Sequence, residues 1–357
     1  MTLRLRLGTR RSTLAMAQAR WVAERVIAVG AAADRDLDVE LVEVTTHGDV
    51  TTAPLASLGG VGVFTSALRD AVLAGEVDFA VHSLKDLPTA PAPGLTVAAV
   101  PTREDPRDVL VARDGLGLAE LPLGAQVGTG SPRRAAQLLA RRPDLNVVGV
   151  RGNVDTRLRL VTEGSLDAVV LARAGLLRLG RADEASEVLE PEVMMPAPGQ
   201  AAMAVECRDG VRGPDPDLRR LLRGVDDLPT RVAVTAERAL LAGLEAGCSA
   251  PVGAFAELVG ADPPDGVELS LRAVVAAPDG SNLWRRAATL PLPGALHPFE
   301  GEEPEGPVPA AEALGRALAA QLLADGVAAL QPVPAAQSPR VGPHSTQTYR
   351  QAREGDL

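Results

Sequence analysis

Between residues 127 and 160 the chain carries seven arginines, at positions 133, 134, 141, 142, 151, 157 and 159, against two acids, Asp144 and Asp155. The whole chain, by contrast, has a formal net charge of −10. A basic island in an acidic protein needs either an anionic partner or an internal salt-bridge network, and the layout favours the partner. Gly128-Thr129-Gly130-Ser131 follows a short strand-like run, and Pro132 stands where a helix can begin. Such a helix start offers free N–H groups and a positive dipole end to an anion. Arg133 and Arg134 fall in the first turn, where cations oppose the dipole, so they make better sense facing a bound anion. A second expected strand, residues 146–150, delivers Arg151-Gly152-Asn153 at its end, and Asp155-Thr156-Arg157 opens the next helix. In open α/β sheets, ligands sit beyond the carboxyl ends of strands. Arg141, Arg142 and Arg159 read equally well as a solvated helix face.

Other residues could do chemistry rather than hold charge. Of 36 basic residues, Lys85 is the single lysine. In a chain so biased to arginine, it marks a place that needs a compact ammonium rather than a planar fork. It adjoins Asp86 in His82-Ser83-Leu84-Lys85-Asp86-Leu87-Pro88, just past an apolar strand-like run at 77–81. A carboxylate there can move protons or stabilise a cation, although the pair also reads as a loop salt bridge. Cys248 follows a long helical pattern and precedes Pro251 and Gly253, unlike the usual buried cysteine, whereas Cys207 lies in an apolar run and fits that description. Arg10 and Ser12 occupy a strand-to-helix corner, a second potential anion site, with Ser12 able to cap the helix that follows. His47 and Asp49 read as loop and turn residues, and the glycines at 59, 60 and 62 fit neither the P-loop nor the dinucleotide fingerprint.

Composition narrows the functions these residues could serve. An apolar content of 46% and a charged content of 23% are those of a folded globular protein. Aromatic residues at 2% and a sequence pI near 5.1 argue against nucleic-acid binding, which wants stacking platforms and a basic face. No apolar run is long enough for a bilayer, so no membrane association is expected, and the first residues lack the apolar core of a secretory signal. Two cysteines and four histidines show no metal-ligand spacing, so no metal is expected. These features predict a cytoplasmic protein, with a monomer as the default state.

The elements that must position these groups alternate as strand and helix. Strands are expected over 3–8, 38–44, 77–81 and 95–100, with helices over 13–29 and 65–74. A proline-bounded polar stretch at 101–108 reads as a hinge, and a second βα series runs from 109 through the arginine-rich island to a strand at 168–172 and a helix at 173–179. The Pro-rich stretch 191–200 is a second crossing, followed by a strand over 201–207. Two crossings between two α/β lobes describe a hinged pair around a cleft. From about residue 217 the character changes. A helix over 230–246 is expected with Thr230 as its cap and Gly247 as its stop, then antiparallel strands over 267–275 and 284–290 and a helix over 310–323. Residues 297–309 form a Pro/Glu-rich loop, and the chain from about 331 lacks periodicity and is expected to be disordered.

Taken together, LGTRRSTLAMAQAR, TTHGD, AVHSLKDLPT, REDPRDVLV, VGTGSPRRAAQL, VRGNVDTRL, LARAGLLRLG, PAPGQAAMAVECR and ERALLAGLEAGCSAPVGAFA closely resemble the hydroxymethylbilane synthase (porphobilinogen deaminase) family, in the family's order, from about residue 3 to 256. The resemblance implies two hinged periplasmic-binding-protein-like (type II) α/β lobes with mixed sheets plus a smaller α+β C-terminal domain. The expected bounds are 1–101 with 201–218, 106–195 and 222–332, followed by a tail at 333–357. It implies deaminative joining of four porphobilinogen units into the linear tetrapyrrole of haem biosynthesis, primed by a dipyrromethane cofactor held as a thioether on Cys248. By the same resemblance, Asp86 is the principal catalytic residue, assisted by Lys85. Lys85, Ser131, Arg133, Arg134 and Arg151 hold the cofactor, and Arg10, Ser12, Arg151, Arg157, Arg178 and Gln200 hold substrate. The chain departs from the family pattern at Val61 and Ser66, where many members carry lysine, and at Ala201, where glycine is common. Two other readings suit the lobes alone: a non-catalytic module closing on an anionic small molecule, and a phosphoribosyl transferase using the 128–131 turn. Neither requires Cys248 or the Lys85-Asp86 pair.

Overall fold

A computed structural model describes residues 2–45, 65–209, 216–246, 250–260, 266–292 and 306–327. His47, Asp49, the glycine-rich turn with Val61, Cys248, residues 297–305 of the Pro/Glu-rich loop and the expected tail lie outside the described residues.

The first sheet has the order β2-β1-β3-β10-β4. Its strands are β1 (Leu3–Thr9), β2 (Leu37–Glu43), β3 (Phe79–Ser83), β4 (Leu95–Ala99) and β10 (Met203–Arg208). The second has the order β7-β6-β8-β5-β9. It is built from β5 (Asp108–Ala112), β6 (Gln126–Gly128), β7 (Asn146–Val148), β8 (Ala168–Ala172) and β9 (Glu187–Leu189). The two orders are equivalent. In each sheet, the strand next to one edge pairs in parallel on both sides: β1 with β2 and β3, and β6 with β7 and β8. In each, the strand that follows a crossing enters antiparallel: β5 beside β8 and β9, and β10 beside β3 and β4. This is the expected pair of mixed-sheet, type II periplasmic-binding-protein-like lobes joined by two crossings.

Local sequence explains the helices. The helix α1 (Thr13–Ala32) starts where Ser12 Oγ accepts from Ala15 N, and it buries Val22, Ala23 and Val26 against the first sheet. After α2 (Ser66–Leu73), the second lobe contributes α3 (Pro132–Arg141), α4 (Val154–Thr162) and α5 (Arg173–Arg178). Pro132 opens α3 as expected, and Asn153 Oδ1 caps α4 by accepting from Thr156 N. Then α6 (Pro216–Arg223) returns to the first lobe, where Leu218, Leu221 and Leu222 join its core.

The third unit is a three-stranded antiparallel sheet, β11 (Val252–Val259), β12 (Val267–Ala276) and β13 (Leu283–Leu292), covered by α7 (Leu228–Gly243) and α8 (Pro307–Ala324). Its core joins Leu240, Leu269, Leu271 and Leu318, each fully buried. The helix α7 starts earlier than the sequence suggested. Asp227 caps it by accepting from Thr230 N, and Pro229 sits in its first turn. Thr230 is therefore not the cap: its hydroxyl accepts from Arg103 N at 3.0 Å. The helix stops at Gly243, and Glu245 turns the chain with φ +51°.

Candidate active site

Every sequence-predicted site residue among the described residues lies near the crossings or beyond the carboxyl end of a strand. Arg10 and Ser12 follow β1, Lys85 and Asp86 follow β3, and Ser131 to Arg134 follow β6. Arg151 follows β7, Arg157 lies in the helix it leads into, and Gln200 lies in the second crossing. The equivalent sheet orders turn the same ends of both lobes toward the junction, where α1 packs on α5.

Lys85 and Asp86 occupy one turn of 3-10 helix, Leu84–Asp86, directly after β3. This turn is held from three directions. Leu84 N donates to Ala202 O at 3.0 Å. Arg238, on α7 of the third unit, donates to the carbonyls of Leu84, Leu87 and Pro88 at 3.2, 2.8 and 2.7 Å. Gln18 of α1 donates to Ser83 Oγ at 3.2 Å, which ties the Arg10–Ser12 corner to the end of β3. Asp86 is thus presented on a short, clamped turn rather than on a free loop.

Arg133 and Arg134 differ from the sequence expectation in an instructive way. Both are buried, and both have a carboxylate partner inside the protein, Asp108 at the start of β5. Arg133 Nη2 reaches Oδ2 and Arg134 Nη2 reaches Oδ1, each at 2.8 Å. Arg134 Nη1 also donates to Val170 O at 3.0 Å. The internal network that the sequence layout disfavoured is therefore present for these two residues. The reason is long-range: β5 enters antiparallel to β8, with Asp108 opposite Ala172, so its first residue comes to the edge where α3 begins. Burial alone would raise the Asp108 carboxyl, but the two guanidiniums outweigh it and hold the group well below the usual carboxylate range.

One carboxylate does not balance this cluster. Lys85 feels Asp86, Arg134, Asp108 and Arg133, while Arg157 feels Arg134, Arg151 and Asp86. Among the described residues, that is five cationic side chains against two carboxylates. Burial pushes the Lys85 ammonium down to about 8, against the upward pull of Asp86. Burial, followed by repulsion from Arg134 and Arg151, brings Arg157 down to about 10. Arg178 is also lowered by burial, with Glu104 opposing, and its Nη2 donates to Ala201 O at 2.5 Å. Neither Arg157 nor Arg178 has an ion-pair partner among the described residues.

The remaining predicted residues divide. Ser12 Oγ serves as the α1 cap. Ser131 stands before α3 without a side-chain capping bond. Arg141 and Arg159 are exposed, as a solvated face would be, but Arg142 is a structural clamp that bonds Asp144 and the carbonyls of Leu118 and Leu121. Sequence reading missed Asp108, Arg103, Glu237 and Arg238. A signal did exist for Asp108, a lone acid opening an otherwise apolar strand; for the others, only the packing of distant segments reveals their partners.

Three comparisons bear on what this cationic junction serves. Residues 5–213 match the family profile described as porphobilinogen deaminase, dipyromethane cofactor binding domain, and residues 232–324 match porphobilinogen deaminase, C-terminal domain. The chain belongs to the porphobilinogen deaminase family. Among its relatives, porphobilinogen deaminase of Thermobifida fusca is 56% identical over 322 residues, covering 90% of this chain and 93% of that one. Porphobilinogen deaminase 1 of Streptomyces coelicolor is 55% identical over 330 residues, covering 91% and 97%. Among solved structures, lipoprotein Tp32 from Treponema pallidum aligns with a TM-score of 0.40 at 16% identity, over 63% of this chain and 90% of that one.

The family's dipyrromethane cofactor carries an acetate and a propionate on each of its two rings. A junction with cationic side chains in excess of its carboxylates suits such a polyanion, because charge-assisted N–H···O⁻ bonds would replace the mutual repulsion of the cations. The residues present fit the group.

Proposed function

We propose that this chain, a porphobilinogen deaminase that makes hydroxymethylbilane, runs its reaction at Asp86. Lys85, Arg133, Arg134, Arg151 and Ser131 hold the dipyrromethane cofactor, while Arg10, Ser12, Arg151, Arg157, Arg178 and Gln200 hold porphobilinogen. The observation that carries this assignment is the excess of cationic side chains over carboxylates around Asp86. An aminomethyl nitrogen leaves a pyrrole only as ammonia, and its departure leaves a cationic methylene carbon. Asp86 can hold the proton that accompanies the amine and then face the cation that remains. When bound, the cofactor supplies the free pyrrole carbon to which an incoming unit is joined.

Cys248 is assigned as the attachment point, because a thiolate is suited to a lasting thioether and the other cysteine, Cys207, is buried in the first sheet. The described residues that follow it in sequence support this. The following strand β11 docks on the second crossing, with Ala254 N donating to Pro196 O at 2.9 Å, and the adjacent Met195 carbonyl accepts from Arg133. The units are assigned as residues 1–101 with 201–218, 106–195 and 222–332. The protein is assigned as a cytoplasmic monomer; no helix among the described residues is long and apolar enough to cross a membrane.

Intact mass tests the assignment. Purified protein is expected to be heavier than its sequence by one dipyrromethane, and Cys248→Ser is expected to lose the excess. Active protein at its bare sequence mass would sink the covalent attachment.

A further inference from the structure

Asp108 contacts neither of the groups that do the chemistry, yet it sits where the two lobes meet. Its carboxylate is fully buried and takes three side-chain donors: Arg133 Nη2, Arg134 Nη2 and Gln200 Nε2, all at 2.8 Å. Gln200 is itself fully buried and lies in the second crossing. Its Nε2 also donates to Pro106 O at 2.7 Å, and its Oε1 accepts from Lys85 Nζ at 3.3 Å. These partners allow only one orientation of the amide, because the nitrogen faces two acceptors and the oxygen faces an ammonium. A continuous path therefore runs from the lysine of the first lobe, through one amide, to a carboxylate of the second lobe and its pair of arginines.

We propose that Asp108 is a positioning residue for the reaction, holding Arg133 and Arg134 side by side and, through Gln200, fixing Lys85 of the opposite lobe at the junction. The inference rests on the assignment of these cations to cofactor and substrate carboxylates. Three features distinguish it from simple core pairing. Asp108 uses both of its oxygens on groups from different segments. Among the described residues, it is the second-lobe carboxylate that favours the charge of Lys85. It also leaves Arg133 Nε and Arg134 Nε without partners among the described residues, so each guanidinium is held by its Nη end. Without Asp108, two buried guanidiniums would repel each other, and Gln200 would lose one of the two acceptors that orient its amide toward Lys85.

The position of Lys85 can be read without turnover, because it is the single lysine of the chain. In full-length protein labelled with 13C at the lysine ε-carbon, one resonance reports its titration, with cofactor loading of each sample checked by intact mass. Among the described residues, the groups that face Lys85 include Asp86 on its own turn, Asp108 on β5, Arg133 and Arg134 on α3, and Gln200 in the crossing. Without cofactor, the wild-type midpoint is expected near 8. Asp108→Asn removes the negative charge but leaves both arginines, so the midpoint should fall by about half a pH unit or more. Asp108→Glu restores the charge and should bring the midpoint back toward wild type. In parallel, Asp108→Asn is expected to lower kcat/KM for porphobilinogen by about tenfold or more, as misplaced binding groups do. Should Asp108→Asn not fold, Gln200→Leu cuts the path beyond Asp108 and must move the midpoint in the same direction. An unmoved Lys85 midpoint in the folded variant, whatever happens to stability or rate, would overturn the proposal. Failure of the functional assignment would appear separately, as wild-type protein that titrates as described but does not consume porphobilinogen.

Discussion

Glu237 on α7 accepts both Nη groups of Arg103 in the first crossing, at 2.7 and 3.0 Å, with the carboxylate fully buried. The same carboxylate accepts from Gly199 N in the second crossing at 2.7 Å and from Ala256 N of β11 at 2.8 Å. Arg103 Nε in turn donates to Gln200 O at 2.8 Å. One side chain of the third unit thus fixes both strands of the hinge, next to the amide that contacts Lys85. Glu237→Ala leaves a buried guanidinium without its counter-charge and is expected to cost about 3–5 kcal/mol. Denaturant unfolding would measure it. Arg103→Met combined with Glu237→Ala should not return to wild-type stability, because Gly199 N and Ala256 N each lose an acceptor, at about 1–3 kcal/mol apiece. A double variant as stable as the parent would show those two bonds to be idle.

Arg157 presents the opposite balance. Burial and repulsion from Arg134 and Arg151 disfavour its charge, and Asp86 compensates only in part. Arg157→Leu is therefore expected to stabilise the cofactor-free protein by about 1 kcal/mol, the usual size of gain when a functional strain is removed. The same change should reduce kcat/KM by about tenfold or more, since a charge-assisted contact to a carboxylate is worth about 1.5–3 kcal/mol. Thermal unfolding of the Cys248→Ser background and steady-state rates of the loaded enzyme separate the two effects. A loss of stability would mean that the arginine is structural.

Asp86→Asn should leave the fold intact, since its turn is held by the Leu84, Leu87 and Pro88 carbonyls and by Leu84 N rather than by its own carboxylate. Turnover should fall by about a hundredfold or more, the low end of a general-acid contribution. A near-normal rate with an unchanged circular dichroism spectrum would remove Asp86 from the proton-transfer role.

Ala201 has φ +70°, a left-handed conformation that costs an L-residue about 1–2 kcal/mol. This is why glycine suits the position. Alanine nevertheless reduces the entropy of the unfolded chain, by about 0.4–1 kcal/mol relative to glycine. Its buried methyl contributes about 0.8 kcal/mol more. The opposing amounts nearly cancel, so Ala201→Gly should change stability by no more than about 0.5 kcal/mol. Ala201→Val, with a branched Cβ at the same φ, should cost about 2 kcal/mol or more. Urea unfolding of the pair tests this, and a large gain from glycine would mean that the methyl is not well packed.

Much of this architecture was legible along the chain because its determinants are local. Hydrophobic periodicity placed most of the described helices and strands to within a few residues, though not β9, β11 or α6, and Ser12 and Pro132 marked helix starts through backbone chemistry that acts over a single turn. The types and spacing of Arg133, Arg134, Arg151, Arg157, Lys85 and Asp86 pointed to an anion held beside a carboxylate. Tertiary structure alone decided how that charge is shared. Asp108 meets α3 only because β5 enters its sheet antiparallel, and Arg238 reaches the Lys85-Asp86 turn across a sequence separation of about 150 residues. Thr230 gave way to Asp227 as the cap because its hydroxyl is engaged by the distant Arg103 N–H. A side chain's type and its neighbours along the chain establish which charge it carries and which turn it can start. Which opposite charge it meets depends on sheet order and crossing geometry, and no local pattern encodes either.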